Sequence, residues 1–550
     1  MNLGKRLLGW PLLIVYFATV YLLGSTAPAL WSPDELRYAE IAREIIARGD
    51  WVVPHFNGLF YFEKPILGHW FNAVAQLVFG ENNFSVRLVS ALAALGSAYS
   101  VSLMVRRERG RDQALLAAGI YLSMFLVIGL GTYSALDGLL NVWMTATFVA
   151  FYFALHAEHG RRRVGYFALA GALCGAAVLT KGFLALALPV LVVAPYALWQ
   201  RKLQTLLMYG ATSVAAALLV CLPWAIAIHR EAPDFWNYFF WAEHVHRFFA
   251  KDAQHAEPIW FFMPLLPLAI LPWTFAAFTS LARLRQDLAQ PWVRYALLWA
   301  VLPFVFFSLS RGKLPTYILP CMAPIALLLS QGLTAAFRSH RQSLVRANQL
   351  QAGVITLIAL GAFVAYLLGK MPLGDGEGYK AYLLTLSLLL WAASVAAASY
   401  TRTLGTFAIA HMLAPAVLFL AAGAGVPDRV IDGKQPDRFI QQIAPDIPPD
   451  AILIADNPAR MSALNWYLKR DDVYLTGSRG EVSYGLSYLD AEHRYIDAGA
   501  LGAFIAAQRI HHPVVMLVGS LPPMGSGFPA YDRLVEQTRL QALFFDRKGR

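Results

Sequence analysis

Between residue 7 and about residue 424 the chain is a succession of apolar stretches, each of roughly the 17–25 residues that carry an α-helix across a hydrocarbon core. No other feature constrains the fold as tightly. With no water to satisfy it, a spanning backbone must close its hydrogen bonds within helices or around a closed barrel, and continuous apolar runs select helices. Hydrophobic residues are 58% of the 550 and charged residues 14%, more apolar surface than a water-soluble core requires. From Val426 onward Pro, Asp, Arg and short β-branched runs replace the long stretches. The chain therefore divides into a membrane domain, 1–425, and a soluble domain, 426–550.

Basic residues set the expected topology. Lys5 and Arg6 precede the first span, and clusters recur after every second one: Arg106, Arg107, Arg109 and Arg111; Arg161 to Arg163; Arg201 and Lys202; Arg283 and Arg285; Arg338, Arg341 and Arg346; and Arg402. The positive-inside tendency makes these cytoplasmic, gives about thirteen transmembrane helices and puts the soluble domain in the periplasm. The first stretch, Leu7 to Thr26, is too long for a signal-peptide core and lacks a small-residue cleavage pattern, so it reads as a retained helix. The formal charge of +11 is dispersed through these clusters rather than gathered on one face, and no nucleic-acid partner is expected. Cys174, Cys221 and Cys321 lack metal-ligand spacing and read as packing residues.

The opposite loops (28–84, 131–137, 229–258, 309–316 and 370–380) are longer and richer in aromatic and acidic residues, and function is sought there. Periodicity predicts helices over 34–47, opened by Ser32-Pro33, and over 66–79, both lying in the membrane interface. The aromatic run from Phe235 to Trp241 gives 229–258 the same character. In the soluble domain strands are predicted over 451–455, 473–475 and 513–518, with helices over 458–469 and 499–509, as in a small α/β domain.

Three clusters carry the chemistry. Asp34 and Glu35 are adjacent carboxylates just outside the first span, read either as acids at a helix N-terminus with Ser32 as cap or as catalytic groups. Asp137 follows Gly131-Thr132-Tyr133 at the mouth of the fourth span, again as cap or functional acid. Phe60-Tyr61-Phe62-Glu63-Lys64-Pro65 combines rings that stack on sugars, a carboxylate that accepts from hydroxyl or amino groups, and an ammonium that neutralises phosphate. The alternative is that Tyr61 and Lys64 only anchor an interface. Arg37, Lys181, Arg247 and Lys313 lie on this same side, where cations are disfavoured unless an anion sits in the membrane surface. His244 and His246, with Glu63, could ligate a metal such as zinc, but a closely spaced three- or four-ligand pattern is lacking.

These motifs resemble the membrane-embedded lipid-linked glycosyltransferases of the GT-C class and, among them, the aminoarabinose transferases of lipid A modification. The resemblance runs through Pro33-Asp34-Glu35, Arg37-Tyr38-Ala39, Pro54-His55-Phe56, Tyr61 to Pro65, Gly80-Glu81-Asn82 and Val86-Arg87. It resumes at Gly131-Thr132-Tyr133, Leu136-Asp137, Leu179 to Gly182, Asp252 to His255 and Lys313 to Tyr317. It implies a GT-C membrane domain and an inverting transfer of 4-amino-4-deoxy-L-arabinose from undecaprenyl phosphate to lipid A phosphate. The site would face the periplasm from the bacterial inner membrane, and the product would confer polymyxin resistance.

Asp34 matches the catalytic carboxylate of that family and Asp137 its second acid. Lys64, with Arg247 or Arg37, is expected on the donor phosphate, and Tyr61, Glu63 and Tyr317 on the amino sugar. Glu35, Tyr38, Lys181 and Lys313 are further candidates. No cofactor is required and a monomer is expected. The competing readings are a related transferase with another sugar or acceptor (lipopolysaccharide core or protein) and a lipid-linked sugar flippase. The latter needs a polar path or matched repeats that the spans do not display.

Overall fold

The computed structural model describes residues 8–246, 255–282, 284–521 and 528–548, with backbone alone for 242–246. Among these, nine helices are long and apolar enough to cross a membrane, or eleven when each of two bent pairs counts as one span. With the two shorter apolar helices, Trp10–Leu23 and Leu184–Trp199, there are thirteen apolar segments, one for each stretch in the sequence. What hydropathy does not show is that two of them are broken: Arg111–Leu122 turns by 68° into Phe125–Gly131, and Phe262–Ala269 by 101° into Thr274–Leu281.

The two breaks are coupled. The Phe125 N–H donates to the Leu271 carbonyl at 2.8 Å, and the Trp273 indole N–H donates to the Ser123 hydroxyl at 2.9 Å. Pro272 brings no N–H to the second break. A backbone opened inside an apolar bundle must find partners there, and each break supplies them to the other. Elsewhere helices close up on small residues: a Cβ on Gly171 would stand 2.0 Å from the Ser213 carbonyl, and one on Gly175 2.8 Å from that of Ala217. That one-turn spacing of small residues lets Arg161–Lys181 lie directly on Leu203–Glu231.

Two amphipathic helices, Asp34–Arg48 and Leu67–Phe79, lie between the first and second spans, each within a residue of its expected limits. Between them lies a hairpin that was not among the expected elements, although its Asn57-Gly58 pair is a hairpin signal. Strand β1 (His55–Phe56) pairs antiparallel with β2 (Leu59–Phe60) around Asn57-Gly58, both at positive φ (58° and 71°) as a two-residue primed turn demands. Buried Glu44 accepts from the Asn57 and Gly58 N–H groups at 2.5 and 2.9 Å.

After the last span, Leu404–Gly425, the soluble domain builds a six-stranded mixed sheet in the order β5-β4-β3-β6-β8-β7. Its strands are β3 (Ile452–Ala455), β4 (Tyr474–Thr476), β5 (Tyr495–Ile496), β6 (Val514–Val518), β7 (Arg533–Gln537) and β8 (Leu540–Phe545). β3, β4, β5 and β6 run parallel and β7–β8 is an antiparallel hairpin added on β6. Three strands beyond those expected (β5, β7 and β8) complete it. Helices Pro458–Leu468 and Leu501–Gln508 stand where helical segments were expected.

The domain is seated on the loops of the membrane part. The Asn57 amide donates to the Val473 carbonyl at 2.8 Å and its oxygen accepts from Val473 N–H and from Asn465, both at 3.0 Å. Leu36, Phe56 and Tyr61 share one buried cluster with Leu464, Trp466, Leu475 and Val482. The hairpin tip and the first amphipathic helix are thus part of the soluble domain's core.

Candidate functional site

The site is built outward from an ion pair that touches no solvent. Glu35 and Arg87 are 0% and 1% exposed, and the guanidinium meets both carboxylate oxygens, Nε to Oε1 at 2.7 Å and Nη2 to Oε2 at 2.6 Å. Arg87 also donates to the carbonyls of Ser25, Pro28 and Ala29. Glu35 in turn accepts from the backbone N–H of Trp31 (2.9 Å) and Ser134 (2.7 Å). One pair therefore clamps the loop before the first amphipathic helix, the second span and the 131–137 turn together. With these partners Glu35 holds the elements of the site together.

The clamp sets its neighbour. Asp34 opens helix Asp34–Arg48 with its side chain 44% exposed. One oxygen receives Arg37 Nη2 and the other the Tyr133 hydroxyl at 3.3 Å. Asp137, at the start of Leu136–His156, meets Lys181 Nζ at 2.6 Å, and that ammonium stands 5.5 Å over the Tyr317 ring. Tyr38 lies in the field of both groups: burial pushes its phenol pKa up, Arg37 and Lys181 pull it down, and Asp34 and Asp137 raise it. Each of the two acids of the sequence pattern thus has its own cation, and both act electrostatically on Tyr38.

Other expected residues fall differently. Lys64 donates to the Glu63 carbonyl at 2.8 Å, with the Glu63 carboxylate 3.8 Å from its ammonium. Tyr61, expected as a sugar-stacking ring, is 1% exposed and has Phe56 and His69 against it at 6.0 Å. Its faces are covered, and only its hydroxyl lacks a partner among the described residues. Lys313, expected as a site cation, spends its ammonium on the carbonyls of Glu257 (2.7 Å), Ser310 and Arg311, closing a loop. Arg37, expected on the donor phosphate, is held between two carboxylates, Asp34 and Glu481 at 2.8 Å. Both charges already have partners within the protein. Arg247 and the side chains of His244 and His246, expected as metal ligands with Glu63, lie outside the described residues. Among the described residues no group of three or more His, Cys, Asp or Glu side chains is placed to hold a metal.

Four contributors were not singled out from sequence. Tyr133 stood inside a recognised motif, and Arg87 was a cation on the disfavoured side, so both had a signal. His69 is fully buried between Tyr38 and Tyr61, with ring centroids at 5.9 and 6.0 Å. Burial first, then the charges of Arg37 and Lys64, push its pKa down to about 3, which keeps it neutral. Glu481, 444 residues from Arg37, had no local signal at all.

Carboxylates steadied by cations at the mouth of an apolar helical bundle, under a soluble cap, suit chemistry in which positive charge develops on a substrate whose other end is lipid. The class is that of membrane glycosyltransferases using a lipid-phosphate donor. Comparison narrows it. The sequence model "Dolichyl-phosphate-mannose-protein mannosyltransferase" matches residues 7–239, and "Arabinosyl transferase ArnT, C-terminal domain" matches 431–544. The undecaprenyl phosphate-alpha-4-amino-4-deoxy-L-arabinose arabinosyl transferase of Shewanella sediminis is 47% identical over 98% of both chains. That of Yersinia enterocolitica is 38% identical, also over 98% of both. The solved structure of ArnT from Cupriavidus metallidurans bound to undecaprenyl phosphate superposes with a TM-score of 0.81 over 97% of each chain at 24% identity, which shows the common fold. The chain belongs to the family of undecaprenyl phosphate-aminoarabinose arabinosyl transferases.

Proposed function

We propose that this protein transfers 4-amino-4-deoxy-L-arabinose from undecaprenyl phosphate to a phosphate of lipid A, at the periplasmic face of a bacterial inner membrane. The observation that carries the reading is the near full-length match, at 47% identity, to a relative named for this donor and this transfer. The site chemistry agrees with it. An acceptor phosphate oxygen attacks the anomeric carbon, and the bond from that carbon to the carrier phosphate breaks with its electron pair going to the phosphate. The configuration inverts.

A phosphate nucleophile is ionised near neutral pH and a phosphate leaves readily, so neither a strong base nor a strong acid is needed. Lys64 neutralises the leaving phosphate, with Arg247 as its expected companion, while Asp34 and Asp137 face the positive charge that builds at the anomeric carbon. Glu63 receives the sugar's ammonium. The resulting product carries less net negative charge at the cell surface, which is the basis of polymyxin resistance.

The test is mass spectrometry of lipid A from cells that lack their own transferase but make the carrier-linked sugar. Expression of this protein adds the aminoarabinose mass and an empty vector does not. No gain at confirmed membrane expression overturns the donor–acceptor assignment in favour of another sugar, a core-oligosaccharide acceptor or a protein acceptor. Charge neutralisation by side chains also means that no metal is required: EDTA leaves the rate of the purified enzyme unchanged, and a loss restored by added zinc would reinstate the metal site at Glu63, His244 and His246.

A further inference from the structure

We propose that Glu481 of the soluble domain is a positioning residue for the transfer, acting through Arg37 on Asp34. Its carboxylate takes Arg37 Nη1 at 2.8 Å while Nη2 of the same guanidinium is on Asp34. The contact is built in rather than incidental. The arginine and glutamate side chains are 13% and 19% exposed. Val482, next in the chain, is fully buried in the cluster that holds Leu36, Phe56 and Tyr61.

The charge count gives the contact its function. One guanidinium shared by two carboxylates leaves a net negative charge beside the anomeric carbon. Without Glu481, Arg37 is free to close both of its arms on Asp34, the fork geometry that arginine prefers. Asp34 would then be neutralised and drawn from the Tyr133 hydroxyl, and the stabilisation of developing positive charge would be lost. By this device the domain that covers the site also sets the electrostatics of its first carboxylate.

The inference rests on Asp34 being the catalytic carboxylate, so Asp34→Asn is assayed alongside. In full-length enzyme with carrier-linked aminoarabinose and lipid A, Glu481→Gln lowers kcat by about tenfold with the donor KM unchanged. Glu481→Asp recovers part of that loss. Asp471→Ala removes a different contact of the same domain, the partly exposed Arg48–Asp471 pair, and keeps wild-type kcat and thermal midpoint. In an Arg37→Met background Glu481→Gln costs nothing further, which a merely structural role would not produce. Full activity of Glu481→Gln with an inactive Asp34→Asn overturns the inference alone, as does an equal further loss in the Arg37→Met background. Full activity of Asp34→Asn overturns the reading beneath it.

Discussion

Asp34→Asn is expected to lower turnover by about 10²–10³-fold, the usual consequence of deleting one preorganised group aimed at transition-state charge, while donor binding persists. The substitution keeps size and hydrogen-bonding capacity: the amide oxygen still accepts from Arg37 or from Tyr133. What disappears is the negative charge. Since that charge matters most when the anomeric carbon becomes positive, kcat falls and the affinity for undecaprenyl phosphate does not. Single-turnover kinetics with a parallel thermal-shift titration of the carrier separates the two quantities. A proportional loss of carrier affinity would instead make Asp34 a binding group.

Arg87→Met is expected to be the most damaging single change to the fold, by about 3–5 kcal/mol, because it leaves the fully buried Glu35 carboxylate uncompensated. Three loop carbonyls, of Ser25, Pro28 and Ala29, lose their donor in the same step. The readout is the thermal midpoint and monodispersity of the detergent-solubilised protein. Adding Glu35→Leu removes the stranded charge and recovers part of the midpoint, in line with the tolerance of buried ion pairs for apolar replacement. Activity does not return, since the Ser134 N–H then has no carboxylate to bind and the turn that brings Tyr133 to Asp34 is no longer tied down. A Glu35→Leu variant with wild-type turnover would refute the role of the clamp.

Candidate groups for the site were legible wherever chemistry is local. Asp137 and Lys181 are charged groups at the ends of apolar spans and Asp34 and Lys64 lie in the loop between the first two, where a charge needs a reason, and the motifs around them match a family pattern. Arg37 and Lys313 have the same signature and a different fate. Both are cations on the disfavoured side, and only the tertiary structure shows their partners, two carboxylates for one and three carbonyls for the other. Glu35 differs from Asp34 by one position on the helix, yet the step around the axis takes one carboxylate into the core and leaves the other partly exposed.

Hydropathy determined that the chain crosses a membrane many times, and the strand and helix patterns after the last apolar stretch that an α/β unit follows. These are set by the cost of burying backbone and charge in hydrocarbon, which each segment meets by itself. Only the tertiary structure decided that two spans are broken and satisfy one another, that an Asn-Gly hairpin tip is capped by the soluble domain, and that Glu481 shares Arg37 with Asp34. Each of these is a pairing between groups more than a hundred residues apart. The free energy of such a pair belongs to neither partner's local sequence and exists only once both are desolvated in the same place.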